Sequence, residues 1–262
     1  MLVTGASGFL GRHLVRGPAT EGWELIAPTS RAMDITDRAN TIDTITGWKP
    51  SVVVHLAYRK GDRRVIVEGS RHVAEAATEC GARLVHMSTD AVFGGRAAPY
   101  TEADTPDPAI QYGIDKYDAE QVVASIDPTA AIVRTSLLYG TDRLSDFQVE
   151  LAEDLRRGRS PMTFFNDEFR CPAHADDIAA ALATLAAQAN RCGVLHVAGP
   201  ERLSRVEIAQ ACAHFAGFPD ARLPETTIAE SGLARLGNVI LDSSLATQQG
   251  VLCRTVGETL GR

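Results

Sequence analysis

Tyr112 and Lys116 lie four positions apart at the start of a helical pattern, which sets both side chains on one helix face. An ordinary tyrosine ionises near pH ~10, and a neighbouring ammonium favours its phenolate. Each unit of lowering amounts to about 1.4 kcal/mol, so one close cation makes a phenol a workable proton carrier near neutrality. By itself a Tyr-x-x-x-Lys spacing is ordinary helix decoration. Here it follows an apolar run, residues 83–88, that leads into Ser88-Thr89-Asp90. A hydroxyl of Ser88 or Thr89 at that strand end can hydrogen-bond a carbonyl oxygen. Hydroxyl, phenol and ammonium together describe carbonyl reduction, with hydride reaching carbon while Tyr112 protonates oxygen.

Reduction needs a hydride carrier, and the first residues offer a place for one. Residues 1–4 read as a strand that runs into Gly5-Ala6-Ser7-Gly8-Phe9-Leu10-Gly11 and then a helix. In such a turn Gly5 permits the tight bend, Gly8 lets backbone approach a pyrophosphate, and Gly11 allows close packing. The helix N-terminus presents free amides and partial positive charge to the phosphates. Ser7, Phe9 and Leu10 of the same turn are expected against the cofactor. The end of the second strand should meet the adenosine ribose, where an NAD site carries an acid. This chain reads Ala27-Pro28-Thr29-Ser30-Arg31 instead. Ser30 can bond a 2′-phosphate and Arg31 can pair with one through its charged fork, so NADP(H) is preferred over NAD(H). The plainer alternative makes Arg31 an exposed loop residue. Asp34 and Ile35 are candidates for the adenine edge, unless Asp34 is the N-cap of a helix beginning at Thr36.

Such residues need a scaffold that brings strand ends together. Apolar runs at 1–4, 24–27, 51–56, 83–88 and 130–134 alternate with helical patterns at 9–16, 36–45, 65–80 and 116–125. Unbroken Val/Ile/Leu runs suit strands buried on both faces, and the alternation predicts an α/β, doubly wound parallel sheet with right-handed crossovers. Further on come helical patterns at 146–157, 177–188 and 204–215 and a sixth apolar run at 193–197. We therefore expect a dinucleotide-binding domain over 1–140, with returns near 171–198. A small interleaved substrate lobe would take 141–170 and 199–262. Asp176-Asp177 reads as the N-cap of the alanine-rich helix, not as a metal site; no metal is expected.

Composition narrows the partners. The net charge of −7 repels a nucleic-acid backbone, and the one short basic cluster, residues 59–64, reads as a solvated helix start. Five scattered cysteines show no metal-ligand spacing and read as reduced thiols of a cytoplasmic protein. The apolar stretch at the start is interrupted by Gly5, Gly8 and Gly11, which argues against a leader, and no run reaches the ~18 apolar residues of a membrane span. His174, His196, Trp23 and Trp48 are expected to be structural.

Taken in order, Thr4-Gly5-x-x-Gly8-x-x-Gly11, His55-Leu56-Ala57, Ser88-Thr89-Asp90-x-Val92-Phe93, Tyr112-x-x-x-Lys116 and Arg134-Thr135-Ser136-Leu137-x-Tyr139-Gly140 resemble the extended short-chain dehydrogenase/reductases. Asp34-Ile35-Thr36-Asp37 and residues 82–90 are similar to the dTDP-4-dehydrorhamnose reductase branch. Phe169-Arg170-x-Pro172-x-x-x-Asp176-Asp177 and residues 193–199 extend the resemblance over nearly the whole chain. It implies that Thr89 polarises the carbonyl, Tyr112 is the acid, and Lys116 holds the nicotinamide ribose and tunes Tyr112. It also implies that Leu56, Ala57, Ser88 and Thr135 line the cofactor and that Thr89, Asp90, Tyr112 and Arg170 meet a nucleotide-sugar substrate. Arg170 would meet its phosphates; an ion pair with Asp176 or Asp167 is the other reading. In relatives, helices matching 65–80 and 116–125 form a dimer face, which makes a homodimer the candidate assembly.

One departure stands out. Relatives carry an asparagine where this chain has Ile66, and that asparagine is thought to support a water relaying protons towards the lysine. Isoleucine cannot hydrogen-bond the water, so any relay must run differently here. Related dehydratases read Thr-Asp-Glu; Thr89-Asp90-Ala91 lacks the second carboxyl, which argues against dehydration. An epimerase, with retained cofactor, and a non-catalytic NADP-binding regulatory subunit are the rival functions.

Overall fold

In the computed structural model, which describes residues 1–188 and 190–261, the chain begins with β1 (Leu2–Thr4), α1 (Phe9–Arg16), α2 (Arg38–Trp48) and β2 (Val52–His55). A π-helical turn at Arg64–Glu68 leads into α3 (Gly69–Glu79), followed by β3 (Arg83–Thr89), a 3-10 turn at Asp90–Val92, α4 (Gln111–Ile126) and β4 (Ala131–Thr135). Then come β5 (Leu138–Tyr139), α5 (Asp146–Arg156), β6 (Phe164–Phe165), β7 (Phe169–Arg170), β8 (Ala173–His174), α6 (Ala175–Ala187) and β9 (Gly193–His196). The last elements are β10 (Leu203–Ser204), α7 (Arg205–Phe215), β11 (Glu225–Thr226), α8 (Ile228–Ser231), α9 (Ser244–Gln248) and α10 (Val256–Leu260).

One parallel sheet in the order β1-β2-β3-β4-β9 forms the centre. Side chains alternate across it. Val3, Val54, Val85 and Val133 face α1 and α6, whereas Leu2, Val53, Leu84 and Ile132 face α2, α3 and α4. Burial on both faces is why Val52-Val53-Val54 shows no polar alternation.

The strand expected at 24–27 shrinks to one residue. Ile26 bridges Leu2 on the free edge of β1, through Ile26 N to Met1 O (2.9 Å) and Val3 N to Ile26 O (2.8 Å). The next donor to β1 would be residue 28, and Pro28 has no N–H to give. The chain thus visits one side of β1 at Ile26 and the other at β2. Strand order reverses there, and ligands gather beyond the carboxyl ends at such a switch point.

Three element boundaries bear on the site. Helix α2 starts two residues later than expected because Asp37, not Asp34, is its N-cap, accepting from Asn40 N. Helix α4 starts early enough to carry both Tyr112 and Lys116. Helix α6 is capped by the His174 ring, which accepts from Asp176 N at 3.2 Å. Asp176 and Asp177 occupy its first turn instead, paired with His13 (2.6 Å) and Arg254 (2.6 Å).

The remaining strands pair as β5–β8, β10–β7 and β11–β6, around a core that includes Tyr139, Leu151, Phe164 and Ile208. Capping boxes at Ser145/Gln148 and Ser204/Glu207 start α5 and α7. Among the described residues no two cysteines form a disulfide; Cys171 and Cys212 are buried and Cys192 is exposed. Trp23 packs on the core, but Trp48 is 45% exposed at the end of α2. Among the described residues no helix is long and apolar enough to cross a membrane.

Candidate active site

The bend after β1 is possible because Gly5 takes φ +69°. Gly11 packs directly on that bend: a Cβ there would sit 2.2 Å from Gly5 O and 2.7 Å from Ala6 Cα. Gly8 caps α1 without a side-chain hydrogen bond, and no acid occupies the first turn. The amides at the start of α1 therefore keep their donors. With Ser7, Phe9 and Leu10 they border a cleft of about 1060 Å³. Free amides, a positive helix end and a floor without Cβ atoms fit a dinucleotide pyrophosphate. The loop after β2 is held against this turn, since Leu56 N and Ala57 N both donate to Thr4 Oγ1 (3.2 and 3.1 Å). Thr135, at the end of β4, also borders the cleft, and its buried Oγ1 has no partner among the described residues.

At the adenosine end the expectations divide. Ser30, Asp34 and Ile35 border the cleft; Arg31 is exposed and does not. Asp34 accepts from Thr36 N (2.9 Å) and Thr36 Oγ1 (2.8 Å), which hold its carboxyl below the usual range. The basic stretch 59–64 does precede a helical turn, with Asp62 Oδ1 accepting from Val65 N (3.2 Å). It is more than a solvated helix start, however, because Arg59, Lys60 and Arg64 border the cleft. Arg63 points elsewhere, to Asp115 (2.9 Å) and Asp118 (2.7 Å). The available signal was the position of this charge, directly after the carboxyl end of β2.

The three expected catalytic groups meet in this same cleft. Lys116 is buried, with Nζ donating to Met87 O at 2.6 Å. Burial pulls its pKa down to about 8, with the Glu120 carboxylate acting in the opposite direction. Tyr112 departs from expectation. Burial first, then neighbouring Tyr58, push its phenol above the ordinary value, while a hydrogen bond with Thr89 works against them. Lys116 is tied to a strand carbonyl, and desolvation outweighs any lowering it was expected to provide. The phenol consequently keeps its proton at neutral pH. Thr89 Oγ1 donates to Asp90 Oδ1 (3.2 Å) and accepts from Ala91 N (3.2 Å).

Ser88, the other candidate hydroxyl, borders the cleft but donates to Glu120 Oε1 at 2.5 Å. Glu120 also takes Arg134 in a two-pronged pair, Nη2–Oε2 2.7 Å and Nε–Oε1 3.0 Å, with both side chains at most 3% exposed. This network fastens α4, and with it Tyr112 and Lys116, to β3 and β4. Ile66 lies in the π turn, 1% exposed, grouped with Val67 and Ala119, and Tyr112 packs against that group. Residue 66 thus braces the tyrosine by packing.

Two buried histidines, His55 and His86, are register partners on β2 and β3. The rings of His55 and His86 are 5.3 Å apart. His55 is bonded to Thr4 Oγ1 (2.7 Å) and Ser70 Oγ (3.1 Å); neither ring nitrogen of His86 has a partner among the described residues. Burial, then Lys116, push His55 down to about 3 and His86 well below its ordinary value. His196 packs edge-on against Phe93 and is buried.

At the far end of the cleft, Arg170 is in an ion pair, but with partners other than Asp176 or Asp167. Its Nη2 lies 3.3 Å from Glu168 and its Nε 3.6 Å from Asp90. Nη1 donates to Phe169 O (2.7 Å) and Gly237 O (3.0 Å). Asp167 instead accepts from Ile228 N (2.9 Å). Asp90 also accepts from Ser136 Oγ (2.6 Å); burial raises its carboxyl pKa, against the pull of Arg170. Arg205 and Arg235, which sequence reading missed, share Glu168 with Arg170 (4.0 and 2.6 Å) and border the cleft.

Residues 1–244 match the family model described as RmlD substrate binding domain. The chain is 33% identical over 244 residues to a dTDP-4-dehydrorhamnose reductase of Mycobacterium tuberculosis (strain ATCC 25618 / H37Rv), covering 88% of this chain and 80% of that one. It is 29% identical over 280 residues to methionine adenosyltransferase 2 subunit beta of Xenopus laevis, covering 97% and 83%. Among solved structures, dTDP-4-dehydrorhamnose reductase (rfbD) from Bacillus anthracis str. Ames, in complex with NADP, superposes with a TM-score of 0.89 at 26% identity, covering 100% of this chain and 96% of that one.

Proposed function

The chain belongs to the RmlD substrate binding domain family, in the dTDP-4-dehydrorhamnose reductase branch, and from that premise we propose that it reduces a keto group on a nucleotide-activated 4-keto-deoxysugar with NADPH. The observation that carries this reading is the gathering of Thr89, Tyr112 and Lys116 in one cleft with the glycine turn of α1. In this reading residues 1–140, with returns near 171–198, hold the dinucleotide, and 141–170 with 199–262 hold the sugar nucleotide. The protein acts in the cytoplasm, where its cysteines stay reduced, as a homodimer formed on α3 and α4.

A dihydronicotinamide cofactor held on the glycine turn of α1 and by Lys116 would supply the hydride that the carbonyl carbon takes. Thr89 turns its O–H from Asp90 to the carbonyl oxygen and, with Tyr112, polarises it. As the C=O π bond breaks, the oxygen takes the phenolic proton of Tyr112, which burial has kept in place. Lys116 stabilises the phenolate left behind and holds the nicotinamide ribose. The products are an alcohol and oxidised cofactor, and the phenolate regains its proton from solvent. Arg170, Arg205 and Arg235 give the far end of the cleft the positive charge that a sugar nucleotide's phosphates need.

Stoichiometry tests the proposal. A reductase oxidises NADPH mole for mole with a dTDP-4-keto-6-deoxyhexose, whereas an epimerase converts its substrate without net oxidation. One observation favours a second reading, a regulatory subunit that binds NADP without turning it over: the similarity to methionine adenosyltransferase 2 subunit beta spans 97% of the chain. Tight NADPH binding with no oxidation by any 4-keto sugar nucleotide would favour that reading.

A further inference from the structure

We infer that Arg59 and Arg64, assisted by Lys60 and Ser30, recognise the 2′-phosphate of the cofactor, and that Arg31 does not. The inference rests on the proposal that this cleft holds a nicotinamide dinucleotide; it names the residues that choose between its two forms.

Ser30, Arg59, Lys60 and Arg64 all border the cleft that Asp34 and Ile35 also border, and Arg31 does not. Arg64 and Arg59 are also near enough to Asp34 to help lower its carboxyl pKa, behind the hydrogen bonds from Thr36. Two guanidinium groups from the segment after β2, one in its loop and one at the start of the π turn, therefore lie near Asp34, where the adenosine ribose is expected.

Arg64 and Lys60 have no side-chain hydrogen bond or ion pair among the described residues. Arg59 makes one exposed contact, 3.4 Å to Asp62, with 73% of its side chain exposed. An exposed pair of this kind contributes little, and the guanidinium is easily drawn to a better acceptor. Arg63, by contrast, is held by Asp115 and Asp118.

Charge decides the preference. Arg59, Lys60 and Arg64 contribute three positive charges against the two carboxylates of Asp34 and Asp62, a surplus of one. Both oxygens of Asp62 are engaged, by Arg59 and by Val65 N, and Asp34 Oδ1 is turned to Thr36. The remaining surplus suits a phosphate, and the planar forks of two arginines can grip one bidentately.

The test is calorimetric binding of adenosine 2′,5′-bisphosphate and of 5′-AMP to the full chain, with Arg59→Gln/Arg64→Gln and Arg31→Gln variants. We expect the wild type to favour the bisphosphate by about tenfold or more, and the double variant to bring that ratio within about threefold. Arg31→Gln should leave most of the preference. Raising salt from roughly 50 to 300 mM should weaken bisphosphate binding more in the wild type than in the double variant. A wild type without preference, a double variant that keeps it, or an Arg31→Gln variant that loses it would each overturn the inference. No sugar substrate is involved, so failure of the ketoreductase assay would not touch this result. Failure of both nucleotides to bind would overturn the cofactor site and this inference together.

Discussion

The ammonium of Lys116 donates a 2.6 Å hydrogen bond to the carbonyl of Met87, two residues before Thr89 on the same strand. A buried lysine is thus pinned to the strand whose end presents Thr89, one helical turn from Tyr112. Positioning of this kind has a thermodynamic cost that can be measured.

That cost should vanish at high pH. Burial lowers the Lys116 pKa from 10.5 to about 8. Between these values the unfolded chain binds the extra proton, so stability rises as pH climbs through the window. Below pH 8 the folded protein bears the full penalty, on the order of 3 kcal/mol. Lys116→Met should therefore be more stable than wild type in urea unfolding at pH 7 and nearly equal to it at pH 10.5, while losing activity. A gap that stays the same at both pH values would contradict this account of the lysine.

His86 should oppose folding in acid. Its ring and that of His55 stay neutral in the fold while unfolded histidine protonates near pH ~6.5. Because the unfolded state then binds more protons, stability falls as pH drops below that value and continues to fall towards pH 3. His86→Leu also removes two buried nitrogens without partners, each an expense of about 1–3 kcal/mol. Thermal unfolding should show a higher Tm for the variant at pH 7 and a shallower acid decline. An unchanged acid slope would place the effect elsewhere.

Glu120 should matter for both folding and catalysis. Glu120→Gln leaves Arg134 buried without its counter-charge, which should destabilise the protein by about 3–5 kcal/mol. It also weakens the anchor of Ser88. Replacing both partners, Glu120→Leu with Arg134→Met, should recover much of that stability in urea unfolding without restoring the turnover rate. Recovery of both together would mean that the pair does not position α4.

How far these features could be read in advance depended on whether their cause was local. Val52-Val53-Val54 and the Gly5–Gly11 spacing carry their own geometry, and β2 and the glycine turn before α1 form where the patterns put them. The strand at 24–27 failed because of a missing donor at Pro28, whose effect depends on pairing with β1. Histidine is not a usual N-cap residue, so the sequence points to Asp176-Asp177 although the His174 ring caps α6. Arg31 stands out in sequence by its closeness to Ser30, whereas Arg59 and Arg64, which border the cleft, come from the segment after β2. The charged partners of Arg170 are Glu168, just before β7, and Asp90, 80 residues earlier. The direction of the Tyr112 shift was lost because it depends on burial, which only the packed fold sets.

The most direct test compares wild type with Tyr112→Phe, following NADPH absorbance with a dTDP-4-keto-6-deoxyhexose and measuring NADPH affinity separately. The wild type should oxidise NADPH mole for mole, and the variant should lose about 100-fold or more in kcat with cofactor affinity nearly unchanged. A variant that keeps the wild-type rate, or a wild type that binds NADPH and never oxidises it with such a substrate, would contradict the assignment.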